Sequence, residues 1–177
     1  MQEAKLIETE TGRDAEGEGW FIRNLDEVTW ERLPDNGIWH SFGAADHPFA
    51  QFGLGPHILM PGEANGMYHA ENSDQEGFLV LAGECIAIVE GEERPMRQWD
   101  YLHCPAGTRH ITIGAGDGPC AILMIGGRSP ENTITYPVDP VAARHGASVK
   151  QETNDPKEAY ADRRGPVTRV RSPWPLQ

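Results

Sequence analysis

The sequence predicts an all-β fold, an antiparallel sandwich or barrel with short C-terminal helices and extended terminal arms. From Pro56 onward, short apolar segments such as "GFLVLAG", "CIAIVEG" and "CAILMIGG" recur at intervals of roughly eight to twelve residues, separated by turn residues. This spacing is typical of antiparallel strands and not of alternating strands and helices. The 20 Gly and 14 Pro among 177 residues also favour a turn-rich β protein over a helical bundle.

Tight turns are expected between the strands. The segments "EGEERP" and "GAGDGP" each predict a hairpin turn, because glycine readily adopts the positive φ that such turns require. Before the main strand region, "GWFIRNLDEVTWERL" supplies two short candidate strands, near residues 20–23 and 28–32.

The chain divides into three parts by composition. Residues 1–19 are acidic and are predicted to be a flexible segment, residues 20–130 carry the barrel, and residues 131–177 form a C-terminal extension. Within the extension, "DPVAARHGA" and "DPKEAYADRR" predict short helices that begin with Pro after the capping residues Asp139 and Asp155. The final "GPVTRVRSPWPLQ" is so rich in proline that an extended arm is expected.

Charge and cysteine usage exclude several classes of function. The formal net charge of -12 argues against binding to nucleic acid or to an anionic membrane, since both need clustered Lys and Arg. The first residues contain no apolar stretch, so neither a signal peptide nor a membrane span is expected. Cys85, Cys104 and Cys120 lie in apolar runs without C-x-x-C spacing, which predicts buried, reduced thiols in a cytoplasmic protein.

Four residues form a candidate site. His69 and Glu71 are two apart, so on a strand their side chains point to the same face. The loop "NSDQ" can return Glu76 on the neighbouring strand, and "CPAGTRHITI" delivers His110 at the start of a later one. If these strands are neighbours in a small barrel, the four side chains converge as nitrogen and oxygen ligands for a divalent Zn, Fe, Mn, Ni or Co ion. The alternative is a solvated hairpin end without any chemistry.

The spacing of these residues resembles two motifs of the cupin superfamily, G-x5-H-x-H-x3,4-E-x6-G and P-x-G-x2-H. Glu71 stands where the second histidine of the first motif usually falls. The resemblance covers roughly residues 56–127. Within the superfamily, the sequence is most similar to small single-domain cupins of bacteria. The matching residues are His69, Glu76 and Gly83 in the first motif and Pro105, Gly107 and His110 in the second.

The resemblance implies an antiparallel double-stranded β-helix, or jelly-roll barrel, with one metal ion inside one open end. The ligands of the family correspond to His69, Glu76 and His110. For Glu71, three roles remain open: a further metal ligand, an acid or base beside the metal, or an outer residue that hydrogen-bonds a ligating histidine.

The implied function is that of a metal-dependent enzyme acting on a small molecule, of the oxygenase or the isomerase/hydrolase type. The alternative is a non-catalytic barrel that binds a small ligand. A homodimer is expected, because small jelly rolls leave sheet edges that a second copy can cover. Phe78 and Val80 share the face of Glu76 and are predicted to line the pocket floor. His57 lacks a partner at ligand spacing, so a structural or surface role is predicted for it. His103 alternates with Cys104 before the Pro-Gly turn and is predicted to be a hydrogen-bonded strand histidine and not a fifth ligand.

Overall fold

The computed structural model describes residues 1–43, 48–163, 165–174 and 176, which form antiparallel strands and two short helices. Neither helix in this described part has the length and apolar character that crossing a bilayer demands. The elements are β1 (Lys5–Glu8), β2 (Arg13–Glu16), β3 (Trp30–Arg32), β4 (Ile38–Trp39), β5 (Phe52–Leu59), β6 (Ala70–Glu71), β7 (Glu76–Ala82), β8 (Glu84–Val89), β9 (Glu92–Arg97), β10 (Tyr101–Cys104), β11 (His110–Ala115), β12 (Cys120–Gly127), β13 (Ile134–Thr135), α1 (Pro140–Arg144), α2 (Pro156–Ala159) and β14 (Thr168–Val170).

Two antiparallel sheets build the barrel. The larger has seven strands in the order β10-β7-β12-β5-β4-β3-β14, and the smaller has three in the order β11-β8-β9. Consecutive strands often lie in different sheets, so the chain winds back and forth across the barrel. This arrangement is the double-stranded β-helix, and it confirms the predicted fold class.

The barrel interior is filled from both sheets. Phe78 and Val80 of β7 pack against Cys85 and Ala87 of β8 in one buried cluster. Because side chains on a strand alternate in direction, this cluster takes every second residue of each strand. All three cysteines of the chain are buried and free, as the sequence predicts.

The outer face of the smaller sheet is buried as well. Ile88 and Ile111 point away from the barrel and pack with Ala142 of α1. The Asp139 carboxylate accepts hydrogen bonds from the first helical N–H groups of α1, and Asp155 caps α2 in the same way. Both predicted helices and their caps are therefore confirmed.

The N-terminal residues differ from the flexible segment expected from composition. Strands β1 and β2 form a hairpin in which Ala4 and Ala15 are buried. The Thr9 hydroxyl donates to the Gly12 carbonyl and so closes the turn. Charge does not oppose this hairpin, because Arg13 lies 2.6 Å from Glu8 and the acidic side chains face solvent. An acidic composition alone therefore predicted too little structure.

The C-terminal arm also has more structure than its proline content suggests. Strand β14 lies between Pro166 and Pro173 and pairs with β3 at the edge of the larger sheet, a position where the neighbouring prolines interrupt no ladder. Beyond it, Trp174 packs on the cluster around Trp30. Both chain ends thus lie against the barrel, whereas the division into three parts at residues 19 and 130 stays a prediction.

The turns are predicted correctly in one case and wrongly in another. Glu90 and Gly91 have φ values of 50° and 76° and join β8 to β9 in a hairpin, as expected. The "GAGDGP" segment is not a hairpin turn, because β11 pairs with β8 whereas β12 pairs with β5 and β7. It carries the chain from one sheet to the other. Residues 21–23 are not a strand.

The close approach of β4 to β5 gives a prediction about stability. A Cβ atom at Gly55 would lie 2.0 Å from the His40 carbonyl oxygen, whereas a Cβ at Gly118 would have open space around it. We expect Gly55→Ala to lower the free energy of unfolding by at least about 2 kcal/mol, because backbone must move. Gly118→Ala should change it by less than about 0.5 kcal/mol. Chemical denaturation measures both, and equal midpoints would contradict this close packing.

Candidate metal centre

His69 and His110 are neighbours across an antiparallel bridge at the edge of the smaller sheet. Each backbone N–H donates to the carbonyl of the other residue, over 3.1 Å for the His69 N–H and 2.8 Å for the His110 N–H. Residues paired in this way have side chains on the same face. The two imidazole rings accordingly lie 4.8 Å apart inside the barrel mouth, and His110 is only 1% exposed.

Glu76 reaches the two histidines from the opposite sheet. It is the first residue of β7, and its Oε2 lies 2.9 Å from the His110 Nε2 and 3.5 Å from the His69 Nε2. The sequence predicted Glu76 on a strand next to His69, and this is wrong, since β6 pairs with β13 and His69 pairs with His110. The loop between β6 and β7 crosses from one sheet to the other. The convergence itself agrees with the prediction.

The crossing loop is held by its buried carboxylate. Asp74 accepts hydrogen bonds from the backbone N–H and the hydroxyl of Ser129, just after β12. A Cβ at Gly127 would lie 2.8 Å from this carboxylate, so only glycine leaves it room. The start of β7, and with it Glu76, is thereby fixed relative to the end of β12.

Hydrogen bonds on the outer nitrogens set the tautomer of both histidines. The His69 Nδ1 lies 2.7 Å from the Met67 carbonyl oxygen, and the His110 Nδ1 lies 2.9 Å from that of Thr108. Carbonyl oxygens only accept, so each Nδ1 carries a proton and each neutral ring presents its Nε2 lone pair to the cluster.

Three acceptors thus point at one another. The His110 Nε2 and the Glu76 Oε2 are close, yet both are buried without a hydrogen-bond partner. The ligand atoms of His69, Glu76 and His110 all lie within 4.8 Å of one another. Such an arrangement needs a donor or a cation between the three atoms, and a metal ion satisfies all three at once. The donor set therefore fits a divalent transition metal.

The pKa values of Glu76 and His69 are shifted in the directions that favour positive charge between them. Burial alone would raise the pKa of Glu76, but the adjacent His110 and His69, when their rings are protonated, lower it to about 2. Burial would lower the pKa of His69, but Glu76, the Met67 carbonyl and Glu71 together raise it. The carboxylate is thus held ionised, and positive charge is favoured beside it.

Glu71 lies beside the cluster but outside it. Its Oε1 is 3.9 Å from the His69 Nε2, and its other carboxylate oxygen accepts a hydrogen bond from the Asn132 side-chain amide. Burial raises the pKa of Glu71, whereas Asn132 opposes this rise. The shared face of His69 and Glu71 agrees with the sequence, and the role of Glu71 stays a prediction. Asn132 was missed, because it follows 61 residues later in the chain.

Aromatic rings enclose the two imidazoles. Phe78 packs against His110 with ring centroids 5.1 Å apart, but it and Val80 lie in the buried core and not among the residues that line the cavity beside Glu76. Tyr136 packs against His69 at 5.9 Å and meets Tyr160 edge to face at 6.1 Å. Both tyrosines belong to the C-terminal extension, and no spacing signal in the sequence connects them to His69.

A cavity of about 240 Å³ opens beside Glu76 at the barrel mouth. His57 lines it, although a structural or surface role was predicted for this residue. On β5 it lies opposite Ile122, an inward-facing core residue, so His57 also points inward. Only the strand register reveals this, which is why sequence spacing missed it. A larger cavity, of about 900 Å³, lies along the C-terminal extension and has no lining residue from the cluster.

Comparison with known proteins identifies the barrel. The cupin domain family matches residues 57–126. The chain resembles a cupin-superfamily sugar phosphate isomerase from Silicibacter pomeroyi, with 27% identity and a TM-score of 0.52, over 56% of this chain and 64% of that one. This chain thus spans less than two thirds of that relative.

Other solved cupin-like structures support the fold alone. A putative sugar phosphate isomerase from Acidithiobacillus ferrooxidans is 22% identical, with a TM-score of 0.52, over 59% of this chain and 67% of that one. The polyketide cyclase RemF from Streptomyces resistomycificus is 15% identical, with a TM-score of 0.54, over 64% and 84%. No curated protein sequence matches the chain.

The convergence of the cupin histidines and Glu76 predicts metal binding that depends on His110. Protein purified without added metal should contain about one equivalent of a divalent transition metal per chain, and His110→Ala should lose it. His103→Ala is the matched control, since His103 is exposed on β10 and should leave the metal content unchanged. Elemental analysis by mass spectrometry measures both. Full metal content in His110→Ala would contradict the ligand assignment.

Proposed function

We propose that this cupin binds one divalent transition metal through His69, Glu76 and His110, and that it is an enzyme acting on a small molecule. The convergence of three acceptor atoms, with both histidine tautomers set by backbone carbonyls, carries this proposal. Nitrogen and oxygen donors without a thiolate suit Zn, Fe, Mn, Ni or Co. When bound, such a metal supplies a Lewis acid that polarises a substrate oxygen.

Within this proposal, the reaction moves a proton, as in isomerases and hydrolases. Support comes from Glu71, a second carboxylate next to His69 that is held in place by Asn132. A carboxylate in this position can take a proton from a bound substrate and return it to a neighbouring atom, which is the basic step of an isomerisation. The 27% identity to the Silicibacter sugar phosphate isomerase supports the same reaction class.

The substrate would enter through the cavity beside Glu76. Its volume of about 240 Å³ lies below the roughly 300–1,000 Å³ that is usual for drug-sized ligands, so a compound of a few carbon atoms fits. Gly53, Gly55 and Gly126 contribute no side chains to its wall, which keeps the path to Glu76 open.

Removal of the Glu71 charge tests this role. Metal-loaded protein is incubated with small sugar phosphates in D₂O, and both isomerisation and deuterium incorporation are followed by NMR. We expect Glu71→Gln to slow turnover by about 10²–10⁴-fold while the metal content is unchanged, because the variant keeps the shape but loses the base. The exposed Glu131→Gln is the control and should have wild-type turnover.

The other outcomes distinguish the remaining functions. Loss of metal in Glu71→Gln would make Glu71 a ligand instead of a proton carrier. Oxygen uptake by the iron-loaded protein would identify an oxygenase. A fully metallated protein without any turnover would favour the non-catalytic, ligand-binding barrel.

We also propose a homodimer in the cytoplasm. Strands β10 and β14 form the two edges of the larger sheet, and Trp99 and Tyr101 at the β10 edge are exposed. An edge with exposed aromatic residues is suited to contact with a second copy. The three free cysteines agree with a reducing compartment. Light scattering should give a mass near twice the 19.5 kDa of one chain, and a mass near 19.5 kDa would contradict the dimer.

A further inference from the structure

Arg128 lies at the rim of the cavity beside Glu76 without a carboxylate partner among the residues that the structure describes. In this chain of net charge -12, Arg94, Arg109 and Arg144 each pair with a glutamate, and Arg128 does not. Among the described lining residues, Arg128 is the only Lys or Arg and Glu76 the only carboxylate. The cavity therefore has a single positively charged side chain at its rim and the candidate metal centre beside it.

The guanidinium of Arg128 contacts the backbone at the cavity rim. Its Nη1 donates to the Phe49 carbonyl over 3.3 Å. Its Nε and Nη2 lie 3.2 and 3.3 Å from the position that a Cβ of Gly53 would occupy, so any larger residue there would displace the guanidinium. The backbone N–H of Arg128 donates to the Gln51 carbonyl over 3.2 Å. Among the described residues the guanidinium makes one hydrogen bond, to Phe49, so the other donors of the exposed side chain remain available for an anion.

His57 provides a second polar group on the wall of the same cavity. Its ring stacks on Trp39, with centroids 5.9 Å apart, and its Nδ1 is buried without a partner. A buried unpaired acceptor is less unfavourable than a buried unpaired N–H, so the proton belongs on Nε2. Burial lowers the pKa of His57 to about 4, which keeps the ring neutral near pH 7. His57 is thus a neutral donor with one N–H to offer.

We propose that the cavity binds a small anionic substrate. The carboxylate or phosphate group of this substrate pairs with Arg128, and a hydroxyl oxygen elsewhere in the substrate accepts a hydrogen bond from the His57 Nε2–H. This inference rests on the proposed function, because it places the other end of the substrate beside Glu76. It assigns Arg128 to anion recognition and His57 to substrate positioning. The flat ring of Trp39 then limits the width of the substrate.

Isothermal titration calorimetry with four probes tests the proposal and separates the two kinds of anion. Lactate carries a carboxylate and a hydroxyl, glycerol 3-phosphate carries a phosphate and hydroxyls, glycerol has hydroxyls only, and propionate has a carboxylate only. We expect one of the first two to bind, glycerol to give no measurable heat, and propionate to bind more weakly than lactate. Whichever of the two anions binds more tightly identifies the group that Arg128 recognises.

Substitutions then locate the binding. Arg128→Gln should weaken binding of the preferred probe by about tenfold or more, since a charge-assisted hydrogen bond is lost. Arg94→Gln is the matched control, because Arg94 lies on β9 away from the cavity, and it should bind like the wild type. His57→Phe keeps the ring that stacks on Trp39 but loses the N–H. It should weaken lactate or glycerol 3-phosphate several-fold and leave propionate unchanged.

The titrations are run on both metal-loaded and metal-stripped protein, and metal content is measured for every variant. Equal binding of the preferred probe to wild type and Arg128→Gln, or no binding of either anion in both forms, overturns this inference. A protein that binds the anions through Arg128 but never holds metal would overturn the proposed enzyme and leave the anion site standing. If His57→Phe does not fold, the exposed Arg128→Gln and the propionate comparison still decide the outcome.

Discussion

The paired backbone of His69 and His110 is the constraint on which the candidate site depends. Their reciprocal hydrogen bonds place two imidazoles side by side on one face of the sheet edge. Each ring then bonds through Nδ1 to the carbonyl two residues earlier in the chain, at Met67 and at Thr108. Backbone geometry therefore fixes both the position and the tautomer of each ring. A slip of this pairing by one residue would turn one of the two side chains out of the barrel.

Three buried acceptor atoms that face one another are energetically unfavourable, and a cation between them would remove this penalty. Glu76 arrives from the opposite sheet and brings a carboxylate to two lone pairs in a largely buried site. Burying acceptors without donors is unfavourable by several kcal/mol in a protein interior. The raised pKa of His69 and the lowered pKa of Glu76 have the same cause, since a proton between them relieves the repulsion. A divalent metal would relieve it more completely.

Sequence spacing predicted the convergence of His69, Glu76 and His110 better than it predicted the residues around them. His69, Glu76 and His110 were found because their intervals match a known motif, and the strands were found because apolar segments alternate with turns. The prediction placed Glu76 on the strand beside His69, because loop length does not reveal a crossing between sheets. His57 was missed for a related reason, since its inward direction follows from the register of β5 with β12. The hairpin β1–β2 was missed because acidic composition outweighed local pairing.

The barrel strands alone do not fix all of the site residues, and the C-terminal extension supports His69 and Glu71. Glu76 and His110 begin long strands whose ladders fix them, whereas His69 and Glu71 belong to a segment with a strand of two residues. Such a short strand needs support from elsewhere, and the extension provides it by packing Tyr136 on His69 and bonding Asn132 to Glu71.

The cupin match ends at residue 126, so both supporting residues lie beyond it. Glu71 replaces the histidine usual in the motif, and Asn132 supplies a donor amide suited to a carboxylate. A neutral histidine with a bare nitrogen could use that amide too, but a carboxylate accepts it more strongly because it is charged. The carboxylate at position 71 is therefore matched by a hydrogen-bond donor from the C-terminal extension. This pair distinguishes the site from the usual motif.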